Sequence, residues 1–328
     1  MAKIKFSVVG TGHLGSIHLK LLKQNENAEV MGIFDPNTEK ANELANEHDI
    51  NAYGTLEEAI SNSDALIIAA PTIHHYEIAD KCIEAGKHIF IEKPITHTHS
   101  EGVKLCEKSH NNNVKLQVGH VERFNPALAA LSTYELNPMF IEAHRLAQFK
   151  TRATDVSVIH DLMIHDIDIV LHLIGSSVSA IDANGVSVIT DTADICNARL
   201  TFENGAVANL TASRISARPM RKMRFFQKDN YISCDFGKPE VEVFEIIDGE
   251  LPKTENVVPA TMLGSIEAGQ KNRNIYFKKP AIPEINAIME EHNSFINAIE
   301  NNEDVSVTGK EATEALRIAE KISEIIAK

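Results

Sequence analysis

The chain has 328 residues, 43% apolar and 24% charged, with a formal net charge of −14. That length exceeds one ordinary hydrophobic core, so two domains are expected. The acidic surplus argues against a nucleic-acid partner, and the lack of any 18-residue apolar run argues against a membrane span.

The chain begins on a strand pattern, with no hydrophobic stretch ending in a small-residue cleavage site, so no cleavable leader is expected. Cys82, Cys106, Cys196 and Cys234 stand apart, without CxxC spacing. A cytoplasmic protein with reduced thiols and no zinc is therefore expected. The first strand, Lys3 to Val9, feeds directly into Gly10-Thr11-Gly12-His13-Leu14-Gly15 and then into a helical pattern. In this GxGxxG arrangement Gly10 allows a sharp turn off the strand. Gly12 allows backbone N–H groups to approach a pyrophosphate, and Gly15 allows close helix–strand packing. The helix N-terminus offers unpaired donors and a positive dipole end to phosphate. A second strand, Val30 to Phe34, ends in Asp35, 20 residues beyond Gly15. A carboxylate there suits the two ribose hydroxyls of an adenosine and repels a 2′-phosphate, which favours NAD over NADP. A simple strand-end turn Asp is the alternative.

Further on, apolar runs alternate with helical patterns. Ala65 to Ala70 and His88 to Ile91 read as strands buried on both faces. A capping box at Thr55–Glu58, a helix from His74 to Ala85 stopping at Gly86, a capped helix from Thr98, and a sixth strand at Val114 to Val118 complete the unit. This alternation predicts a doubly wound parallel sheet, whose ligands lie beyond the carboxyl ends of its strands. The candidates at those ends are the Gly10–Gly15 loop, Asp35, Pro71, Thr72, His75, Glu92, Lys93 and His120. Of these, Lys93 can do chemistry: beside a cationic nicotinamide ring it would hydrogen-bond a substrate hydroxyl and help to move its proton. A surface Lys paired with Glu92 is the alternative. Pro94 admits a cis bond.

Past residue 122 the pattern changes. Asn125-Pro126 opens a helix, and Met139 to Ala147 reads as a strand. From Val178 onward strands follow one another, with a hairpin turn at Asn204-Gly205, through Val241 to Ile247. These predict a large, mostly antiparallel sheet in a second α/β domain. The predicted domains are residues 1–122 and 123–328. Leu251 to Pro283 reads as a connection or arm, and two helices close the chain at about 285–301 and 310–327.

One segment breaks its own logic. Val158 to Ile174, ended by Gly175, reads as a largely apolar helix, yet Asp161, His165, Asp168 and His172 share an arc of about 60°. Asp168 and His172 suit a solvent-facing stripe. Asp161 and His165 suit either an oriented acid–base pair or two ligands of a metal, and no matching second cluster supports the metal. With Lys93, the pair would enclose a carbinol between the domains.

These residues together resemble the Gfo/Idh/MocA family of oxidoreductases, over essentially the whole chain. The matching pieces are the Gly10–Gly15 loop, Pro71 to His75, Glu92-Lys93-Pro94, Arg123-Phe124-Asn125-Pro126 and the Asp161-x-x-x-His165 helix. The resemblance implies an N-terminal Rossmann domain and a C-terminal domain whose open sheet pairs protomers into dimers or tetramers. It implies hydride transfer between NAD(P) and a sugar or cyclitol carbinol, with Lys93 polarising the oxygen and His165 as acid/base supported by Asp161. The stretch Gly119 to Pro126 is similar to members acting on nucleotide sugars, at the 3-hydroxyl of a UDP-N-acetylhexosamine. That likeness makes His120, Arg123, Asn125 and Arg152 candidate substrate residues, with Lys150, Arg218 and Arg221 as further cations for a diphosphate. A free polyol or aldose is the alternative substrate, and a non-catalytic cofactor-binding regulator is the alternative to an enzyme. Ala70 departs from the family, where many members carry Thr.

Overall fold

The computed structural model describes residues 3–149, 156–249, 259–268 and 271–327. The chain divides into two compact units, one of residues 1–121 and 286–317, the other of residues 122–285 and 318–328.

In the first unit six strands form one parallel sheet: β1 (Ile4–Val9), β2 (Ala28–Phe34), β3 (Asn51–Ala52), β4 (Ala65–Ile68), β5 (His88–Glu92) and β6 (Leu116–Gly119). Helices α1 (His13–Leu22), α2 (Thr38–His48), α3 (Leu56–Ser61), α4 (His75–Glu84) and α5 (His99–Asn111) connect them in turn. The strand order is β3-β2-β1-β4-β5-β6. It reverses at β1, so a crevice opens beyond the carboxyl ends of β1 and β4. All four residues of β4 are buried, which accounts for its unbroken apolar sequence. The helices start where their caps place them: Asn37 accepts from the Lys40 amide, and Thr98 with Glu101 forms a reciprocal box.

The second unit contains α6 (Pro126–Ala129), β7 (Phe140–Leu146), a π-turn at Ile159–Met163 running into α7 (Ile164–Ile174), and β8 (Val178–Val186). Strands β9 (Ile195–Phe202), β10 (Val207–Ser213), β11 (Met220–Gln227), β12 (Asn230–Asp235) and β13 (Glu240–Asp248) follow, then β14 (Ala260–Ala268) and β15 (Lys271–Lys278). The nine strands form one sheet in the order β14-β15-β13-β12-β11-β7-β10-β9-β8. It is antiparallel except at the β7–β10 pair. Period-2 burial along β7 and β9 gives it one face for the core, and α7 lies against β7 and β10.

Two expectations change. Part of the supposed arm at 251–283 is the β14–β15 hairpin, because β15 pairs with β13 along Val243–Asp248. A half-polar run such as Lys271-Asn-Arg-Asn-Ile-Tyr-Phe becomes a strand through its partner, not through its own periodicity. The single cut at residue 122 also does not foresee the return of the chain to the first unit. Helix α8 (Ala287–Glu300) carries Phe295 into the core there, 6.2 Å from Phe6 and 6.0 Å from Phe90 between ring centroids. Burying that ring contributes about 1.5–3 kcal/mol. The Gln117 side chain donates to the Glu291 carbonyl and the Val118 amide to the Val307 carbonyl, tying the returning segment to β6. The unit boundary then falls within α9 (Gly309–Ile326).

Asp194 organises the loop before β9. Its buried carboxylate accepts from the amides of Val188 (2.8 Å), Ile189 (2.6 Å) and Thr190 (3.0 Å) and from the Thr190 hydroxyl (2.8 Å). Burial opposes the charge, but these donors outweigh it and hold the pKa well below the usual carboxylate range. Asp194→Asn is therefore expected to lower Tm by about 5–10 °C. Because the folded pKa is depressed, the difference from wild type is full above the ordinary Asp pKa of about 4. It shrinks as pH falls toward the folded value, which thermal melts across an acid pH series will check.

Candidate active site

Strand β1 ends at Val9, and Gly10 takes φ +101°, a conformation side-chain-bearing residues avoid. A Cβ on Gly10 would also lie 2.7 Å from the Ala69 carbonyl oxygen, and one on Gly15 would lie 1.9 Å from the Gly10 carbonyl oxygen. These two glycines let α1 leave β1 at close range. Gly12, the N-cap of α1, has an ordinary extended backbone, and a Cβ there would meet nothing within 4 Å. Its missing side chain leaves open room in front of the helix N-terminus, as a dinucleotide pyrophosphate requires.

A cleft of about 900 Å³ lies at this place, lined by Gly10, Thr11, Gly12, His13, Leu14, Asp35 and Pro71 among the residues expected to hold cofactor. Asp35 is held in position before any ligand arrives. Its Oδ2 accepts from the Thr11 amide (2.8 Å) and hydroxyl (2.9 Å), and its Oδ1 from the Asn37 amide (2.8 Å). A carboxylate so fixed keeps lone pairs for ribose hydroxyls and stands where it would repel a 2′-phosphate. The cleft also includes His74, within the Pro71–His75 stretch, and Lys40 and Lys81, which sequence reasoning did not single out. Lys40 is signalled only by its place one turn after the Asn37 cap.

Gly15, Thr72, His75, Glu92 and Lys93 do not line that cleft. His75 departs from its expected role. The ring is buried, with Nδ1 2.9 Å from the Pro94 carbonyl and Nε2 2.8 Å from the Ala70 carbonyl. It joins the loops after β4 and β5, and burial pushes its pKa down despite those acceptors. Glu92 is buried at the end of β5, where its Oε2 accepts from the Lys93 amide (3.1 Å) and its Oε1 lies 2.7 Å from His18 Nε2. Lys93 is half-buried, and the Lys93–Pro94 bond is cis. His120 is buried just past β6.

In the second unit Asp161 lies in the π-turn and His165 in the first turn of α7, both half-buried. The π-turn interrupts the regular α spacing assumed for the Asp161–His172 arc, and such turns occur often at functional sites. His172 is exposed, but Asp168 is not part of a solvent-facing stripe. Its side chain is 1% exposed and takes a two-pronged ion pair from Arg123, itself 5% exposed, at 2.7 and 2.8 Å. Arg123 is therefore engaged as a buried partner of Asp168. Asn125 is similarly committed: its Oδ1 caps the Ala127 amide, and its Nδ2 donates to Glu122 and to the Phe236 carbonyl. Arg152 and Lys150 lie outside the described residues, whereas Arg218 is exposed and Arg221 reaches Glu122 at 3.5 Å.

Sequence reasoning missed Asp166, on the other side of α7. Together with Glu122 it encloses the buried Arg145 guanidinium, at 2.8 Å from each. No pattern in the sequence joins residues 122, 145 and 166. Among the described residues, no three His, Cys, Asp or Glu side chains are grouped to hold a metal ion, and no helix is long and apolar enough to cross a membrane.

A doubly wound sheet with this cradle and this fixed carboxylate defines a dinucleotide-dependent oxidoreductase. Residues 4–120 match the model of the oxidoreductase family with an NAD-binding Rossmann fold, and residues 131–232 match the Gfo/Idh/MocA C-terminal domain. The chain belongs to the Gfo/Idh/MocA family and is an NAD-binding dehydrogenase. It is 38% identical over 253 residues to the UDP-N-acetylglucosamine 3-dehydrogenase of Acidithiobacillus ferrooxidans, covering 77% of this chain and 80% of that one. A solved structure of that protein superposes with a TM-score of 0.88 at 31% identity, over 99% of this chain and 98% of the other. The scyllo-inositol 2-dehydrogenase (NAD(+)) of Bacillus subtilis is 29% identical over 235 residues, 65% of this chain and 68% of that protein.

The glycine geometry separates cofactor binding from folding. Gly12→Val is expected to weaken NAD binding by about tenfold or more, while the Tm of the free protein changes by no more than about 2 °C. Gly15→Ala, by contrast, is expected to lower Tm. Calorimetric NAD titration and thermal melts of both variants check the split.

Proposed function

We propose that this dehydrogenase oxidises a secondary hydroxyl of a nucleotide sugar, namely the 3-hydroxyl of a UDP-N-acetylhexosamine. The observation that carries this reading is the chain-long likeness to the UDP-N-acetylglucosamine 3-dehydrogenase, at 99% and 98% coverage. NAD, held by the Gly10–Leu14 loop and Asp35, supplies the acceptor for the hydride. Asp35 favours it over NADP by repelling a 2′-phosphate.

Lys93 is the residue assigned to the carbinol oxygen. Its ammonium donates to that oxygen and stabilises the negative charge that grows as the C–H bond breaks. His165 takes the hydroxyl proton, and Asp161, four residues earlier, orients the imidazole. In the reverse direction the same imidazole returns the proton. Asp168 has no part in this step, being committed to Arg123.

The second reading, oxidation of a free cyclitol, rests on the 29% likeness to the inositol enzyme. Turnover measured at the reduced-nicotinamide absorbance band with NAD, against UDP-N-acetylglucosamine, scyllo-inositol and myo-inositol, decides between them. The UDP-sugar is the expected substrate, and turnover of an inositol alone would overturn that choice. Lys93→Ala and His165→Ala are each expected to lower kcat by about 10²- to 10⁴-fold. Wild-type rates in both would remove the assigned chemistry.

We further propose that the large sheet pairs protomers into a dimer or tetramer. Five aromatic rings cross it side by side: Phe140, Phe226, Tyr231, Phe244 and Phe277, with successive centroids 4.9–5.7 Å apart. They occupy directly paired positions on β7, β11, β12, β13 and β15. Phe226 is 39% exposed, an aromatic row left partly open on a sheet face. Light scattering during gel filtration is expected to give an oligomer for wild type and a monomer for Phe226→Arg combined with Phe244→Arg.

A further inference from the structure

Behind Lys93 lies a polar chain that the proposed chemistry does not use. His18 Nε2 is 2.7 Å from Glu92 Oε1, and His18 Nδ1 is 2.8 Å from His292 Nε2. All three side chains are buried, in a layer that is otherwise aromatic: Phe90 meets the His18 ring edge-on at 5.4 Å and His292 at 6.1 Å. The three groups come from different elements, α1, β5 and α8, gathered in the first unit.

Two ring nitrogens that face each other need one proton between them. Suppose His18 supplied it from Nδ1 while also donating from Nε2 to Glu92. His18 would then be a buried cation, and the proton of a neutral His292 would sit on Nδ1, which has no hydrogen-bond partner among the described residues. A buried N–H without an acceptor is costly, and less so a bare ring lone pair. Burial also drives His292 to its neutral form. With its proton on Nε2, His292 donates to His18 Nδ1 and leaves His18 Nε2 to donate to Glu92, so every donor points toward Glu92.

We propose that His18 and His292 are positioning residues for Lys93: the one-way chain His292 to His18 to Glu92 holds the Glu92 carboxylate in place against the Lys93 amide, and so sets the end of β5 from which Lys93 acts. The assignment rests on the role given to Lys93 above. Glu92 divides its two oxygens between the tasks, Oε1 toward His18 and Oε2 accepting from the Lys93 amide at 3.1 Å. The same His18 stands on α1, whose N-terminus forms the Gly12 cradle. The helix that receives the cofactor phosphates is thereby joined through one ring to the strand end that carries Lys93. Three apolar side chains would pack this layer without the desolvation cost of a buried carboxylate, so a purely structural role leaves its polarity without a reason.

The test compares His18→Leu, which removes the donor to Glu92, with His18→Gln, which retains an N–H at the same reach, using UDP-N-acetylglucosamine and NAD. We expect kcat to fall about 30-fold in H18L and to recover to within about fivefold of wild type in H18Q, with KM for the sugar nearly unchanged. NADH affinity, read from its fluorescence, is expected to change by less than about threefold in either. If His18 acts through Glu92, H18L adds no further loss in a Glu92→Gln background. Independently of substrate, histidine 15N spectra, assigned with H18Q and H292Q, are expected to show a proton on Nε2 of both rings and none on His18 Nδ1. Should H18L not fold, His292→Leu against His292→Gln tests the same chain from its far end. Equal losses in the Leu and Gln variants, additivity with E92Q, or a proton on His18 Nδ1 overturns the proposal. Lys93→Ala separates the two readings. Full activity there removes the assignment of Lys93 itself, whereas an inactive K93A beside a fully active H18L removes only the chain behind it.

Discussion

The approach of α1 to the end of β1 is the contact on which the first unit depends. A Cβ at Gly15 would lie 1.9 Å from the Gly10 carbonyl oxygen, so no other residue allows the helix to start where it does. From that start follow the direction of the helix N-terminus, the open space before Gly12 and the reach of Thr11 to Asp35. The same helix brings His18 to Glu92 within its second turn. A shift of the helix by one side-chain radius would disturb phosphate binding, ribose recognition and the support of β5 together.

In the second unit the comparable constraint is the burial of charge around α7. Arg145 is enclosed by Glu122 and Asp166 on one side, and Arg123 is joined to Asp168 on another. Buried pairs of this kind need not add net stability, because desolvation offsets much of the attraction. Their directional bonds do fix how α7 is rotated on β7, and that rotation decides where Asp161 and His165 point. The π-turn at Ile159–Met163 adds a local widening immediately before His165. Arg123, a candidate for substrate recognition by its place in the sequence, thus anchors α7 through Asp168.

Family membership and substrate choice rest on different kinds of residue. The family follows from backbone features of the cradle and from the order of the strands, which related enzymes with different substrates share. The substrate is selected by side chains that vary within that frame. An identity of 38% to the UDP-N-acetylglucosamine 3-dehydrogenase carries the nucleotide-sugar reading further than 29% to the inositol enzyme does.

Local signals in the sequence determined a good deal by themselves. The Gly10–Gly15 loop, Asp35, the buried run at β4, the helix caps and the hairpin at Asn204-Gly205 each depend on neighbours within a few residues, and each was legible. Glu92-Lys93-Pro94 and Asp161 with His165 stand out in the sequence only as candidates, because residues of that chemistry at a strand end or on an apolar helix demand an explanation. Only the tertiary structure decided the rest. Partners such as Arg145 with Glu122, Arg123 with Asp168, and His18 with Glu92 and His292 lie 23, 45, 74 and 274 residues apart. No periodicity spans such distances, so a buried ion pair and a solvated charge look alike until the chain has folded. The same reason hid the β14–β15 hairpin, a strand by virtue of its partner, and the return of α8 to a sheet that ended more than 160 residues before it.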